Sequence, residues 1–239
     1  MKQFIIREKN KIILILIILS SLSFLDTIRK GLINGCDFQW QPSKLLWSGV
    51  NHYEKFLFQG NFDFMCQGGQ YAHGLHVILF PYTLFDWEIA RLMWVITNIL
   101  LAISIPLFIC KKFKISKYKT IFILLIFLTC YPTRMNINYG QQSLLIMLFL
   151  ILPFMFKSNF TYFLSGASIF KYSTGYVIFF YYLIKKQYKN FLLATLPYVI
   201  GWIIYFIVSE SDPIKNFFEP IQLILKTGYS RDGDIYSLF

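Results

Sequence analysis

Charge is what this sequence has least of. Only 15% of its 239 residues are Asp, Glu, Lys or Arg, and acids are outnumbered by bases, 12 to 23. Soluble domains average about 25% charged residues. With 56% of the chain hydrophobic and 20% aromatic, there is too little polar surface to cover a globule, so lipid has to solvate part of it. No C-x-x-C pair, Walker loop, G-x-S-x-G, H-E-x-x-H or G-x-G-x-x-G motif occurs, and the signatures of nucleotide loops, serine hydrolases and zinc peptidases are thereby missing. The net charge of +11 does not indicate nucleic acid, whose ligand surfaces are basic faces of soluble domains. Here the bases cluster between apolar runs: Lys2, Arg7, Lys9 and Lys11, then Lys111, Lys112, Lys114, Lys117 and Lys119, then Lys185, Lys186 and Lys189. That is the positive-inside pattern of a membrane protein.

The apolar runs give an all-α, multi-pass integral membrane domain over residues 1–239, with room for six or seven spans. The first run, Ile12 to Ile33, takes Asp26, Arg29 and Lys30 into its outer end, where their i, i+3, i+4 spacing lets them pair on one face. A signal peptide is the competing reading, with Ser21-Leu22-Ser23 as a weak cleavage site. Residues 34–75 form a polar, aromatic-rich external loop, in which stretches such as Leu45–Leu57 are expected as amphipathic helices lying on the membrane. His76–Phe85 is apolar, too short to span and broken by Pro81, so it reads as interfacial or re-entrant. Ile89–Cys110 spans inward to the lysine cluster. Thr120–Tyr131 returns outward, Pro132–Gln142 is expected as a short external turn, and Ser143–Phe156 goes back in.

The charge rule then poses a puzzle. Lys157 and the Lys185 cluster should share the cytoplasmic side, so the 27 residues between them must cross twice or not at all. Two half-helices, Tyr162–Phe170 and Thr174–Leu183, with Lys171 at their turn, satisfy the rule, whereas a single tilted span violates it. Leu192–Val208 crosses outward and Ser209–Phe239 is external. The last segment reads as interrupted, so the chain is expected to be the N-terminal part of a longer protein.

Cys110 and Cys130 lie in or beside apolar runs and read as inert thiols. Cys36 and Cys66 share the external loop and can pair there. Chemistry has a few candidate bearers. Asp37 in Gly35-Cys36-Asp37-Phe38 follows the first span closely enough to take a proton from a membrane-held hydroxyl, or else it caps a loop helix. Lys171 puts an ammonium inside an apolar stretch, which marks function by default and suits a phosphate, unless it snorkels to the interface. Asn138-Tyr139-Gly140-Gln141-Gln142, with Arg134 nearby, opens a span where amides can meet an anion; a plain polar turn is the alternative. Arg91, one turn from Trp94, can reach a phosphate or simply snorkel. His73 and His76 are i, i+3, but no third metal ligand has clear spacing.

Taken in order, these pieces resemble the membrane glycosyltransferases with the GT-C fold that use polyprenyl-phosphate sugars, and family 87 in particular. Gly35-Cys36-Asp37-Phe38 is similar to that family's element after the first span. Tyr71 through Pro81 and on to Ala90-Arg91-Leu92-Met93-Trp94 and Asn98 is similar to its second stretch, Asn138-Tyr139-Gly140-Gln141 to its third, and Phe170-Lys171-Tyr172 with Lys185-Lys186 to its fourth. His73 stands where proline is usual, and Ser173-Thr174 lack the proline common after the lysine. The resemblance implies a partial GT-C-type bundle in the plasma membrane, transferring a mannose-like hexose or a pentose at the external face. The donor would be a polyprenyl-phosphate-linked sugar and the acceptor a lipid or glycan, with no cofactor. Asp37 would be the general base. Lys171, with Arg134 or Arg91, would hold the donor phosphate, and Gln141, Tyr71 and His73 would line the substrate site. A transporter or flippase component and an inactive fragment are the competing readings.

Overall fold

A computed structural model of the chain describes residues 2–36, 38–59 and 71–227. Among them every regular element is helical: α1 (Lys2–Asn34), α2 (Trp40–Trp47), α3 (His52–Gln59), α4 (His73–Ile78), α5 (Phe80–Thr83), α6 (Trp87–Lys112), α7 (Lys117–Thr129), α8 (Tyr131–Tyr139), α9 (Ser143–Met155), α10 (Asn159–Gly166), a 3-10 turn (Ala167–Phe170), α11 (Tyr172–Gly175), α12 (Val177–Ile184), α13 (Tyr188–Val208) and α14 (Pro213–Thr227). The all-α expectation holds. Two of the described helices are long and apolar enough to cross a membrane: α6 with 26 residues and α13 with 21. The bent pair α7–α8 is a third if it counts as one span.

The bend between α7 and α8 is 52°, and Pro132 explains it. Its ring would strike the carbonyl of Leu128 in a continuous helix, yet it fits the first turn of a new one, where its missing N–H costs nothing. The expected external turn at 132–142 is thus mostly helix, and only Gly140, at φ 73°, makes a turn. The polar residues that suggested a loop are turned inward instead: Asn136 donates to Asn98 Oδ1 on α6 at 2.9 Å, and Thr133, Asn136 and Ile137 are buried. Helices α1 and α8 run parallel. Arg134 Nε donates to Thr27 Oγ1 at 3.2 Å, and a Cβ on Gly31 would come within 2.7 Å of the Ile137 carbonyl. Gly31 and Gly35, spaced as in small-x-x-x-small seams, let the two backbones approach.

The charge puzzle resolves as the half-helices predict. α10 with its 3-10 turn leads to Lys171, whose extended backbone (φ −108°, ψ 99°) breaks the helix. α11 and α12 then return antiparallel. Ser168 Oγ donates to the Gly175 carbonyl at 3.1 Å, and Ser165 Oγ meets Tyr182 OH at 3.0 Å. Lys157 and Lys185 therefore sit at one end, together with Lys112, which donates to the Met155 carbonyl at 3.0 Å. Neither α9 nor the ascending arm of the hairpin exceeds 13 residues, so each is about 20 Å long against ~30 Å of hydrocarbon. The hairpin is seated on α13 through glycine: a Cβ on Gly166 would lie 1.7 Å from the Ala194 carbonyl oxygen.

The end of the bundle opposite the lysines is capped by α2–α5 and α14. Leu46, Tyr53 and Leu57 cluster with Tyr205 of α13 and Leu223 of α14. The stretch 45–57 is thus two helices, broken at Gly49 (φ 79°), with apolar faces packed on protein. Residues 76–85, expected at an interface, fall in α4 and α5. α4 is buried against α13, where a Cβ on Gly201 would stand 2.5 Å from Gly74 Cα. Cys36 is disulfide-bonded and Cys110 and Cys130 are free thiols; Cys66, the expected partner, lies outside the described residues.

The α10–α13 seam has no room for a methyl group. Gly166→Ala is expected to destabilise the protein by about 2 kcal/mol or more, read as a lowered thermal midpoint in detergent. Leu196→Ala, on the exposed face of α13, should leave the midpoint nearly in place. Equal midpoints for wild type and Gly166→Ala would mean the seam is loose.

Candidate functional site

Trp94 organises the site. It is fully buried on α6, and its indole N–H donates to the Gly140 carbonyl at 2.7 Å. Phe38 stacks on it, with ring centroids 4.7 Å apart and planes 11° from parallel. One turn along α6, Asn98 accepts from Asn136. These two contacts, four residues apart on one helix face, clamp the last turn of α8 and the Gly140 turn after it. Gly140 also packs on Gly35, whose Cα lies 3.6 Å from where its Cβ would be. Its left-handed backbone, rather than lack of space, is what calls for glycine.

The chain then turns into α9. The Gln141 N–H donates to the Asn136 carbonyl at 2.8 Å, and α9 starts at Ser143 with no side-chain cap on its first N–H groups. Ser143 Oγ accepts from Lys171 Nζ at 2.7 Å. The residue before that lysine, Phe170, accepts from the Ala72 N–H at 3.1 Å, which ties Tyr71–His73 to the hairpin. Phe38, Ala72, Trp94 and Phe170 belong to one buried cluster, with Tyr71 and Tyr172 packed against it.

The sequence candidates separate accordingly. Lys171 reaches Ser143 and Gln141 follows Gly140 in the turn, while Tyr71 packs against the cluster that holds Phe38, Trp94 and Phe170. Asp37 lies outside the described residues, while its neighbours Gly35 and Phe38 sit on Gly140 and Trp94. Arg91 bonds Glu88 at 2.6 Å and the Ile33 carbonyl at 3.2 Å, at the end of α1. Arg134 lies six residues before Gly140, roughly 9 Å down α8, turned to Thr27. His73 is buried and directed at α14, where its Nε2 donates to the Asn216 carbonyl at 3.0 Å. That carbonyl is available because Pro220, four residues on, has no N–H to give it. Ser143 was not among the sequence candidates; its only signal was its place at the start of an apolar run.

A second polar cluster, between the cap and α13, also escaped the sequence reading. Glu219 is buried, and its Oε2 accepts from Asn51 at 2.7 Å and Asn216 at 3.0 Å. Asn51 Oδ1 accepts from Tyr205 OH at 3.2 Å, and that hydroxyl lies 2.7 Å from His52 Nδ1. Ser43 gives its hydrogen to the Gln39 carbonyl, so His76 Nδ1, 3.2 Å from Ser43 Oγ, carries the proton of that contact. Burial pushes His73 down from 6.5 to about 4 and His76 well below its ordinary value. It pushes Glu219 up, against the two amide bonds that pull it down. These residues are scattered from 43 to 219, and among them only the i, i+3 pair His73 and His76 drew notice in the sequence. Among the described residues no group of three or more His, Cys, Asp or Glu is placed to hold a metal.

In comparisons with known proteins, the family model described as Glycosyltransferase family 87 matches residues 71–234. The match takes in Tyr71, Trp94, Gly140–Ser143 and Lys171 and begins after Asp37. No curated protein and no solved structure matches.

The buried histidines make acid the weak side of the cap. Native His73 refuses a proton until about pH 4, while the unfolded chain accepts it near 6.5. Stability is therefore lost as pH falls from 6.5 to 4, by up to roughly 3 kcal/mol for this one group. Glu219 acts in the opposite sense, costing stability as pH rises above its unfolded value of 4.5. His73→Gln keeps a donor for the Asn216 carbonyl and does not titrate. Thermal midpoints measured between pH 6.5 and 4 should fall less for His73→Gln than for wild type; parallel curves would assign the acid loss to other groups.

Proposed function

The chain belongs to glycosyltransferase family 87, and from that premise we propose that it transfers a mannose-like hexose or a pentose from a polyprenyl-phosphate donor to a lipid or glycan acceptor. In this reading it crosses the cytoplasmic membrane several times, and chemistry takes place at the capped, external end. The observation that supports it best is the convergence at Trp94. Four stretches far apart in sequence, around Phe38, Ala72, Gly140 and Lys171, meet beside the bond from Lys171 to Ser143 at the start of α9.

The mechanism follows from those groups. An acceptor hydroxyl attacks the anomeric carbon, and the carbon–oxygen bond to the donor phosphate breaks on the opposite side, inverting the centre. Asp37 takes the hydroxyl proton as general base. The leaving electron pair stays on the polyprenyl phosphate. Lys171 meets that charge as a compact ammonium, oriented by Ser143, and the first N–H groups of α9 add oriented dipoles. Gln141 and Tyr71 supply hydrogen-bonding edges for the sugar, while the Phe38–Trp94 stack walls off water. Arg91 and Arg134, both bonded to α1, support the scaffold.

Membranes carrying the protein are expected to transfer labelled sugar from a polyprenyl-phosphate donor. Asp37→Asn should slow transfer by about 10²–10⁴-fold, and Lys171→Met should do so with the protein still inserted. Ser143→Ala should cost about tenfold through loss of one charge-assisted bond, while Arg134→Gln stays within about threefold. An undiminished rate in Asp37→Asn removes it as the base. Movement of sugar across sealed vesicles with no new glycosidic bond would instead identify a transporter.

A further inference from the structure

Helix α14 is built inside out. It buries Asn216, Glu219 and Leu223 under the cap, yet leaves Ile214, Phe218, Ile221 and Leu225 exposed at 73%, 50%, 44% and 77%. At about 100° per residue these four fall within roughly 60° of arc, diametrically opposite the buried face. The exposed surface is itself divided. One flank of the stripe adjoins α13: Phe217 lies 5.4 Å from Trp202 and 6.1 Å from Tyr198, ring to ring. The other flank carries exposed Gln222 and Lys215, the latter paired with Glu54 at 2.8 Å.

We infer that α14 lies in the membrane surface, its Ile214–Phe218–Ile221–Leu225 stripe taken up by the acyl chains of the leaflet into which α13 emerges. The occupant is argued from continuity. Only four residues separate α13 from α14, and Trp202 Nε1 donates back to the Pro213 carbonyl at 3.2 Å. The helix therefore starts beside a tryptophan six residues, or roughly 9 Å, before the end of α13, a depth where interfacial aromatics sit. By helical spacing the exposed side of α13, which carries Val199 and Ile203, begins next to the Tyr198–Trp202 edge that meets Phe217 of α14, and in this placement the polar flank faces water. That is the order of surfaces an interfacial helix needs. The device also keeps the Glu219–Asn51–Asn216 knot at a fixed height above the hydrocarbon.

This inference rests on α13 spanning a membrane. It is tested with the full chain in vesicles of phosphatidylcholine and phosphatidylglycerol, in a Cys110→Ala, Cys130→Ala background. Single cysteines at Ile214, Phe218, Ile221, Leu225, Gln222 and Asp212, with Ile200 on α13 as the control, carry a nitroxide. Collision with oxygen and with a water-soluble nickel chelate reads their surroundings. The oxygen-to-nickel ratio should be at least about threefold higher at Phe218 and Ile221 than at Gln222 and should follow a helical period. High nickel collision along the stripe, or protection from both reagents as under a second copy or further protein, overturns the inference while Ile200 still reports lipid. If Ile200 reports water, α13 is not a span and the membrane reading falls with it.

Discussion

The hydrogen bond from the Trp94 indole to the Gly140 carbonyl is the constraint on which the site depends. In apolar surroundings an unpaired carbonyl costs several kcal/mol, and water is not there to relieve it. A left-handed turn between two helices exposes such carbonyls, so the turn is tolerable only where a donor is provided. Trp94 provides it, and Asn98 one turn further secures the helix leading into the turn. With Gly140 so held, the start of α9 has a fixed position, and Ser143 can hold Lys171 from the hairpin arriving on its other side. The aromatic stack with Phe38 brings the end of α1 to the same point. One polar contact thereby fixes three chain segments that no covalent link joins nearby.

Glycine does the corresponding work for the helices. Gly31 faces α8, Gly166 faces α13, and Gly74 meets Gly201, each at distances that exclude a side chain. Between lipid-solvated helices there is little hydrophobic gain from association, so close backbone packing carries more of the stability than in a soluble bundle. The same seams set angles and depths. The hairpin turn reaches the height of Ser143 because Gly166 lets α10 sit directly on α13.

The sequence made the long elements legible. Ile89–Cys110 became α6, and Leu192–Val208 lies within α13, because runs of apolar residues have few ways to hide their backbones other than helix. The break at Lys171 was also legible, since two lysine clusters had to share a side. What failed was the assumption that polar means exposed. Thr133 and Asn136 looked like a turn, yet in a bundle an amide can point inward if another amide answers it, as Asn98 does. The same error hid the cap. Asn51, His52, Asn216 and Glu219 are polar residues of apparent loops, and their partners lie up to 168 positions away, beyond any local pattern. His73 reads as a substrate residue from its place in the Tyr71–Pro81 stretch; in the fold it bonds the Asn216 carbonyl, which is free because of a proline at 220, 147 residues downstream.

The hairpin's shortness bears on how the protein is made. Its two arms begin and end at the lysine-rich end of the bundle, with Lys157 before it and Lys185 after it. No charged tail has to be threaded through lipid for it to seat; only the ammonium of Lys171 travels inward, and Ser143 is waiting for it. The hairpin is thus a keystone in the geometric sense: the bond from Lys171 to Ser143 exists only where the hairpin and the start of α9 are both seated, so that single contact reports the closed bundle.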